Sequence, residues 1–179
     1  MKSENQFKGI NAFLILYFIA VIIVVEKLII YSQWTVQPVK KWELPEGLFF
    51  SKINLASLDL ELSLYQYIGF AITYILFYGF ILIGLIQLNR TIKLLSQKKI
   101  FLPEISTNFK KAGKSFLIFV IGTFIEDFSL LLSARTSKPI LDFFATETIV
   151  FIVFAYLLFF LSDILKEGVL LKEENELTI

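Results

Sequence analysis

The chain contains neither cysteine nor histidine in 179 residues. Their absence removes disulfides, thiolate chemistry, imidazole general bases and the commonest transition-metal ligands. Charge of one sign is also missing. Seventeen basic and sixteen acidic residues leave a net charge of +1, so no global field exists to attract nucleic acid directly. No phosphate-cradling glycine loop, dinucleotide fingerprint or nucleophile elbow occurs. Carboxylates alone can hold a hard cation, but no segment has a calcium-loop spacing. These absences argue against an enzyme, a cofactor or a resident metal.

What the chain does have is long apolar runs, at 10–31, 67–88, 115–134 and 147–165. At ~1.5 Å per residue each covers ~28–33 Å, the thickness of a ~30 Å hydrocarbon core. The mean hydropathy of +0.73 and a charged fraction of 18% agree, with most charges lying between the runs. A soluble protein of this size would leave too much of that surface unburied. The expected class is therefore all-α integral membrane: a single domain over 1–179, a four-transmembrane-helix bundle passing up-down-up-down. Lys2 and Lys8 precede the first run as in a signal peptide. The run is too long for one, however, and no small-x-small site follows Val25, so it reads as an uncleaved signal anchor.

Lys and Arg set the orientation. Lys2, Lys8, Lys166, Lys172 and the dense inner segment 89–114 (Arg90, Lys93, Lys98, Lys99, Lys110, Lys111, Lys114) outnumber Lys40, Lys41, Lys52, Arg135 and Lys138 on the other side. Both termini are thus expected in the cytoplasm. The outer segment, 32–66, is too long for a plain hairpin connection. Trp34, Val36 and Val39 precede a Leu44-Pro45-Glu46-Gly47 turn signal, and Leu58, Leu60, Leu62 and Leu64 alternate with polar residues. That period suits a small outer β-hairpin with Trp34 and Trp42 at the interface, or an irregular loop with the same aromatics. In the inner segment, the second helix is expected to continue through Leu95, break at 99–101 and restart at Pro103-Glu104.

Of the polar residues inside the runs, Lys27, Glu126, Asp127 and Tyr156 are the candidates for a role. Glu126 and Asp127 sit near the middle of the third, where a charge costs ~2.5–3.5 kcal/mol on insertion scales. Gly122, Glu126, Ser129 and Ser133 recur at four, three and four, a small and polar stripe suited to helix packing. Lys27 in the first run is the candidate counter-charge, and Tyr156, with Tyr74 and Tyr78, could reach the carboxyls. Such a cluster reads either as a structural ion pair or protonated carboxyl, or as a proton or cation pathway. A third reading sets the third run shallower, with both acids at the interface. On the cytoplasmic side, Lys98, Lys99, Lys110 and Lys111 of the basic segment face the same compartment as the tail, 166–179. The acidic Glu173, Glu174 and Glu176 and the apolar Leu177 and Ile179 make that tail a candidate for docking on the loop and for partner binding.

Gln97-Lys98-Lys99-Ile100-Phe101, Phe109-Lys110-Lys111-Ala112-Gly113 and the terminal Glu174-Asn175-Glu176-Leu177-Thr178-Ile179 run resemble one group of chains. It is domain-of-unknown-function family 2975, the YoaS-like bacterial four-helix membrane proteins. Lys98 stands where that family usually has glycine. The resemblance implies a bacterial plasma-membrane protein without established activity. It also implies a cytoplasmic helix-turn-helix regulator as partner, since such genes often neighbour one. The functional expectation is a non-enzymatic regulatory or sensory component. The alternatives are a small transporter or ion-conducting protein using the intramembrane carboxylates, and a structural or immunity-type protein. The lack of an internal repeat or of Gly/Pro-broken helix pairs counts against transport.

Overall fold

The computed structural model describes residues 8–41, 64–97, 100–133 and 146–177. They form four helices: α1 (Lys8–Lys41), α2 (Leu64–Ser96), α3 (Pro103–Ser133) and α4 (Thr146–Leu177). Three contain stretches long and apolar enough to cross a membrane, Ala12–Ile30, Ile68–Ser96 and Thr148–Leu177, with mean hydropathies of 2.8, 2.2 and 2.4. α3 is as long, at 31 residues, and carries Glu126 and Asp127 within its apolar part. Its position explains how it carries them. α3 packs between α2 and α4, so its polar side chains have neighbours to turn toward.

Local chemistry sets the helix ends. α2 closes with the Gln97 amide donating to the Leu94 carbonyl at 3.1 Å, and Lys93 in the last turn complements the helix dipole. Six residues later Pro103 opens α3 with Glu104 in its first turn, where a missing amide hydrogen costs nothing and an acid is favoured. Within the apolar stretches hydroxyls return to their own helix. Thr91 donates to the Gln87 carbonyl at 3.1 Å, Thr123 to Phe119 at 2.9 Å and Ser129 to Ile125 at 2.8 Å. In hydrocarbon such back-bonding is the local way to satisfy a donor.

Tyr74, Tyr78, Ile81, Leu85 and Leu88 recur at four and three along α2 and form one wall of the core. Ala112, Phe116 and Phe119 of α3 meet them, with Ala155 and Leu158 from α4. Phe116 lies 5.7 Å from Phe151 and 5.5 Å from Phe154, and Phe119 stands edge-on to Tyr78 at 5.1 Å. Close approach depends on glycine. A Cβ on Gly84 would meet the Phe116 ring at 2.6 Å, and one on Gly113 would meet Phe159 at 2.8 Å and the Ala155 carbonyl at 3.0 Å. Phe77 lies over Gly122 in the same way. Among the described residues α1 packs closely on α2, while Phe13 and Tyr17 of α1 face Phe151 and Phe154 of α4 across an apolar cleft.

Among the described residues there is no strand. Residues 32–41, expected as the first arm of the outer hairpin, continue α1 to Lys41. Val36 and Val39 are three apart, a spacing that a helix already propagating through 24 residues accommodates. The rest of the hairpin, with Trp42 and Leu58 to Leu62, lies outside the described residues.

Candidate functional site

The site is built from two helix faces. On α2, Gln66, Gly69, Phe70, Thr73 and Phe77 recur at helical spacing. On α3, Gly122, Ile125, Glu126 and Ser129 do the same. Where these faces diverge they line an open crevice of ≈ 430 Å³, with Gln66, Gly69, Thr73 and Ile125 exposed along it. Phe77 lying over Gly122 closes one end of it. At Gly69 the wall is bare, with no atom within 4 Å of where a Cβ would stand.

Glu126 is the charged group of this crevice and is only 4% exposed. Its Oε1 accepts a hydrogen bond from the Thr73 hydroxyl at 2.7 Å, tying α3 to α2 across the seam. The Thr73 hydroxyl also lies 3.1 Å from the Gly69 carbonyl and 3.0 Å from that of Phe70. Its single hydrogen serves one acceptor at a time, and the carboxyl oxygen is the nearest. Thr73 is the partner that reading the sequence missed. Its spacing from Gly69 and Phe77 was the available signal.

The other intramembrane candidates scatter. Asp127 is half-buried and stands off the crevice lining. Lys27 is exposed on α1, and among the described residues no ion pair joins it to Glu126 or Asp127. Among the described residues the close packing of α1 is with α2 rather than with α3, which carries the two carboxyls. Tyr156 does not reach the carboxyls either. It is 63% exposed on α4, its ring edge-on to Phe159 at 6.1 Å. Tyr74 and Tyr78 are core residues, 2% and 8% exposed, with rings 5.0 Å apart.

A second polar layer lies toward the end where α2 gives way to α3. Ser106 and Ser162 clasp α3 to α4: the Ser106 hydroxyl donates to the Ser162 carbonyl at 2.8 Å, and the Ser162 hydroxyl to the Ser106 carbonyl at 2.9 Å. Thr91 and Asn108 are buried nearby in the sequence of their helices, at 0% and 4% exposure. Gln87 Oε1 and Asn108 Nδ2, an acceptor and a donor, make no hydrogen bond among the described residues. None of these residues had been singled out from the sequence.

At that same end Lys110 and Lys111 are exposed on α3, and Glu173, Glu174, Glu176 and Leu177 are exposed on the last turns of α4. The tail is helical to Leu177, and the pair Lys172–Glu176, at 3.6 Å, lies within it. Lys98, Lys99 and Ile179 lie outside the described residues. Among the described residues no group of three acidic side chains could hold a metal ion.

A family described as "Protein of unknown function (DUF2975)" matches residues 51–179. The chain belongs to this family. The match spans α2, α3 and α4, and with them the Glu126 crevice and the Ser106–Ser162 clasp. α1 precedes the matched region. No curated protein and no solved structure matches the chain.

Proposed function

We propose that this member of the family is a non-enzymatic, regulatory or sensory protein of the bacterial plasma membrane. In this reading α3 is the fourth span, both termini are cytoplasmic, and a cytoplasmic partner docks where the basic segment and the acidic tail emerge. The observation that carries the reading is helix continuity. α3 starts at Pro103, some three turns before its apolar run, and α4 continues to Leu177, some three turns past its own. The Ser106–Ser162 clasp joins the α3 extension to the last turn of the α4 apolar run, from which the α4 extension continues. A displacement of α3 against α4 within the membrane would therefore be carried into an exposed, charged surface. The excess of Lys and Arg at that end favours the cytoplasm, and contact with anionic lipid there is worth ~1 kcal/mol per basic residue. The partner is a helix-turn-helix regulator in the family reading.

The test is purification of the full chain from membranes in mild detergent, with identification of co-purifying proteins, beside a chain lacking 175–179. A reproducible transcription regulator, lost with those residues while insertion persists, supports the reading. A truncated chain that inserts and binds like the intact one removes it. The second reading, proton or cation conduction, has the buried Glu126 in its favour. Against it, Phe77 lying over Gly122 closes one end of the crevice. Cation flux into proteoliposomes that depends on Glu126 would establish it.

A further inference from the structure

We propose that the α2–α3 crevice binds a small organic ammonium ion with an apolar, preferably aromatic, body. The crevice volume of ≈ 430 Å³ lies within the ~300–1,000 Å³ of ordinary small-molecule sites. Its lining divides by chemistry. Glu126 supplies the one charge, Thr73, Ser129 and Gln66 supply neutral polar groups, and Phe70, Phe77 and Ile125 supply apolar wall. A carboxylate beside phenylalanine rings is the combination that recognises an ammonium group, by charge and by the ring faces together. The lining includes no Lys or Arg, so an anion would meet like charge in a medium that screens poorly.

The contrast with the other clefts decides against a lipid chain. Two clefts along the α1–α4 side, of ≈ 350 Å³ and ≈ 330 Å³, are lined by apolar side chains apart from Tyr17. An acyl chain satisfies those walls completely. In the α2–α3 crevice it would lie against Glu126, Thr73 and Ser129 and hydrogen-bond none of them. The carboxyl is also held in place before a ligand arrives, by Thr73 at 2.7 Å, which limits the ordering that binding must supply. The inference needs only α2 and α3. It therefore stands or falls separately from the cytoplasmic partner.

The experiment is equilibrium dialysis of radiolabelled 2-phenylethylammonium against the full chain in nanodiscs, with empty nanodiscs subtracting partition into lipid. The neutral 2-phenylethanol and the anionic 3-phenylpropionate serve as comparison probes. The expected result is saturable binding of the ammonium probe, with both comparisons at least tenfold weaker. Glu126→Gln should weaken the ammonium at least tenfold while circular dichroism shows unchanged helicity. Gly69→Leu keeps the charge and has room for its side chain, and it should block binding by filling the crevice. If Glu126→Gln fails to fold, Gly69→Leu alone decides. Equal binding of the three probes, or wild-type binding by either folded variant, would overturn the proposal.

Discussion

The two long seams of this molecule are made from similar apolar helices and are packed in opposite ways. Along the α2–α3 seam, Gly84 and Gly122 let the Phe116 and Phe77 rings sit directly on helix backbone, and Thr73 bonds Glu126 across the gap. Along the α1–α4 seam no close backbone approach occurs among the described residues, and apolar clefts lined from both helices lie between them. The stretch Ala12–Ile30 has the highest mean hydropathy of the three, 2.8, yet only 6% of it is buried. Hydrophobicity therefore does not pull it inward. In a lipid setting apolar surface gains nothing by leaving acyl chains for other apolar side chains, and association follows small residues and polar pairs. α2 and α3 have both. α1 offers Ala12 and Ala20 but no glycine beyond its first turn.

The largest expected effect breaks the tight seam. Gly122→Leu has no space beneath Phe77 and should cost about 1–3 kcal/mol, read as a lowered midpoint in denaturant-driven unfolding of the detergent-solubilised chain. Gly79→Ala, with nothing within 4 Å of its new Cβ, should be neutral or slightly stabilising in the same assay. Next comes the polar tie. Thr73→Val removes the donor to Glu126 and should cost ~0.6 kcal/mol, at most ~1.7 kcal/mol, as interhelical hydrogen bonds in membranes do. Ala20→Leu adds volume at the open seam, and its midpoint should stay within about 0.5 kcal/mol of wild type because the cleft can take the added atoms. Smallest is Lys27→Met. With Lys27 exposed on α1, this change should be additive with Asp127→Asn, and a measurable coupling in that double-mutant cycle would restore the ion pair.

Much of this was legible in the chain itself. The apolar runs located four helices, and Pro103-Glu104 marked the start of α3. The stripe Gly122–Glu126–Ser129 also lies on one helix face, as its spacing required. Periodicity defines a face, however, and does not name what the face meets. Nothing in the spacing of Glu126 points to Thr73 rather than Lys27, because the choice depends on which helix is the neighbour. Tyr156 shows a related limit: its depth along α4 was legible, but that its ring turns outward, 63% exposed, was not. The hairpin arm at 32–41 failed because Val36 and Val39 suit a strand and a helix end equally.

The contrast between the seams can be measured directly, since a chain without cysteine accepts label pairs without background. Ile72→Cys with Ile125→Cys places exposed spin labels across the α2–α3 seam, and Ile19→Cys with Val153→Cys does so across α1–α4. Double electron–electron resonance in liposomes should give one narrow distance distribution for the first pair and a broad one, shifting with bilayer thickness, for the second. Equally narrow distributions that ignore bilayer thickness would contradict the account.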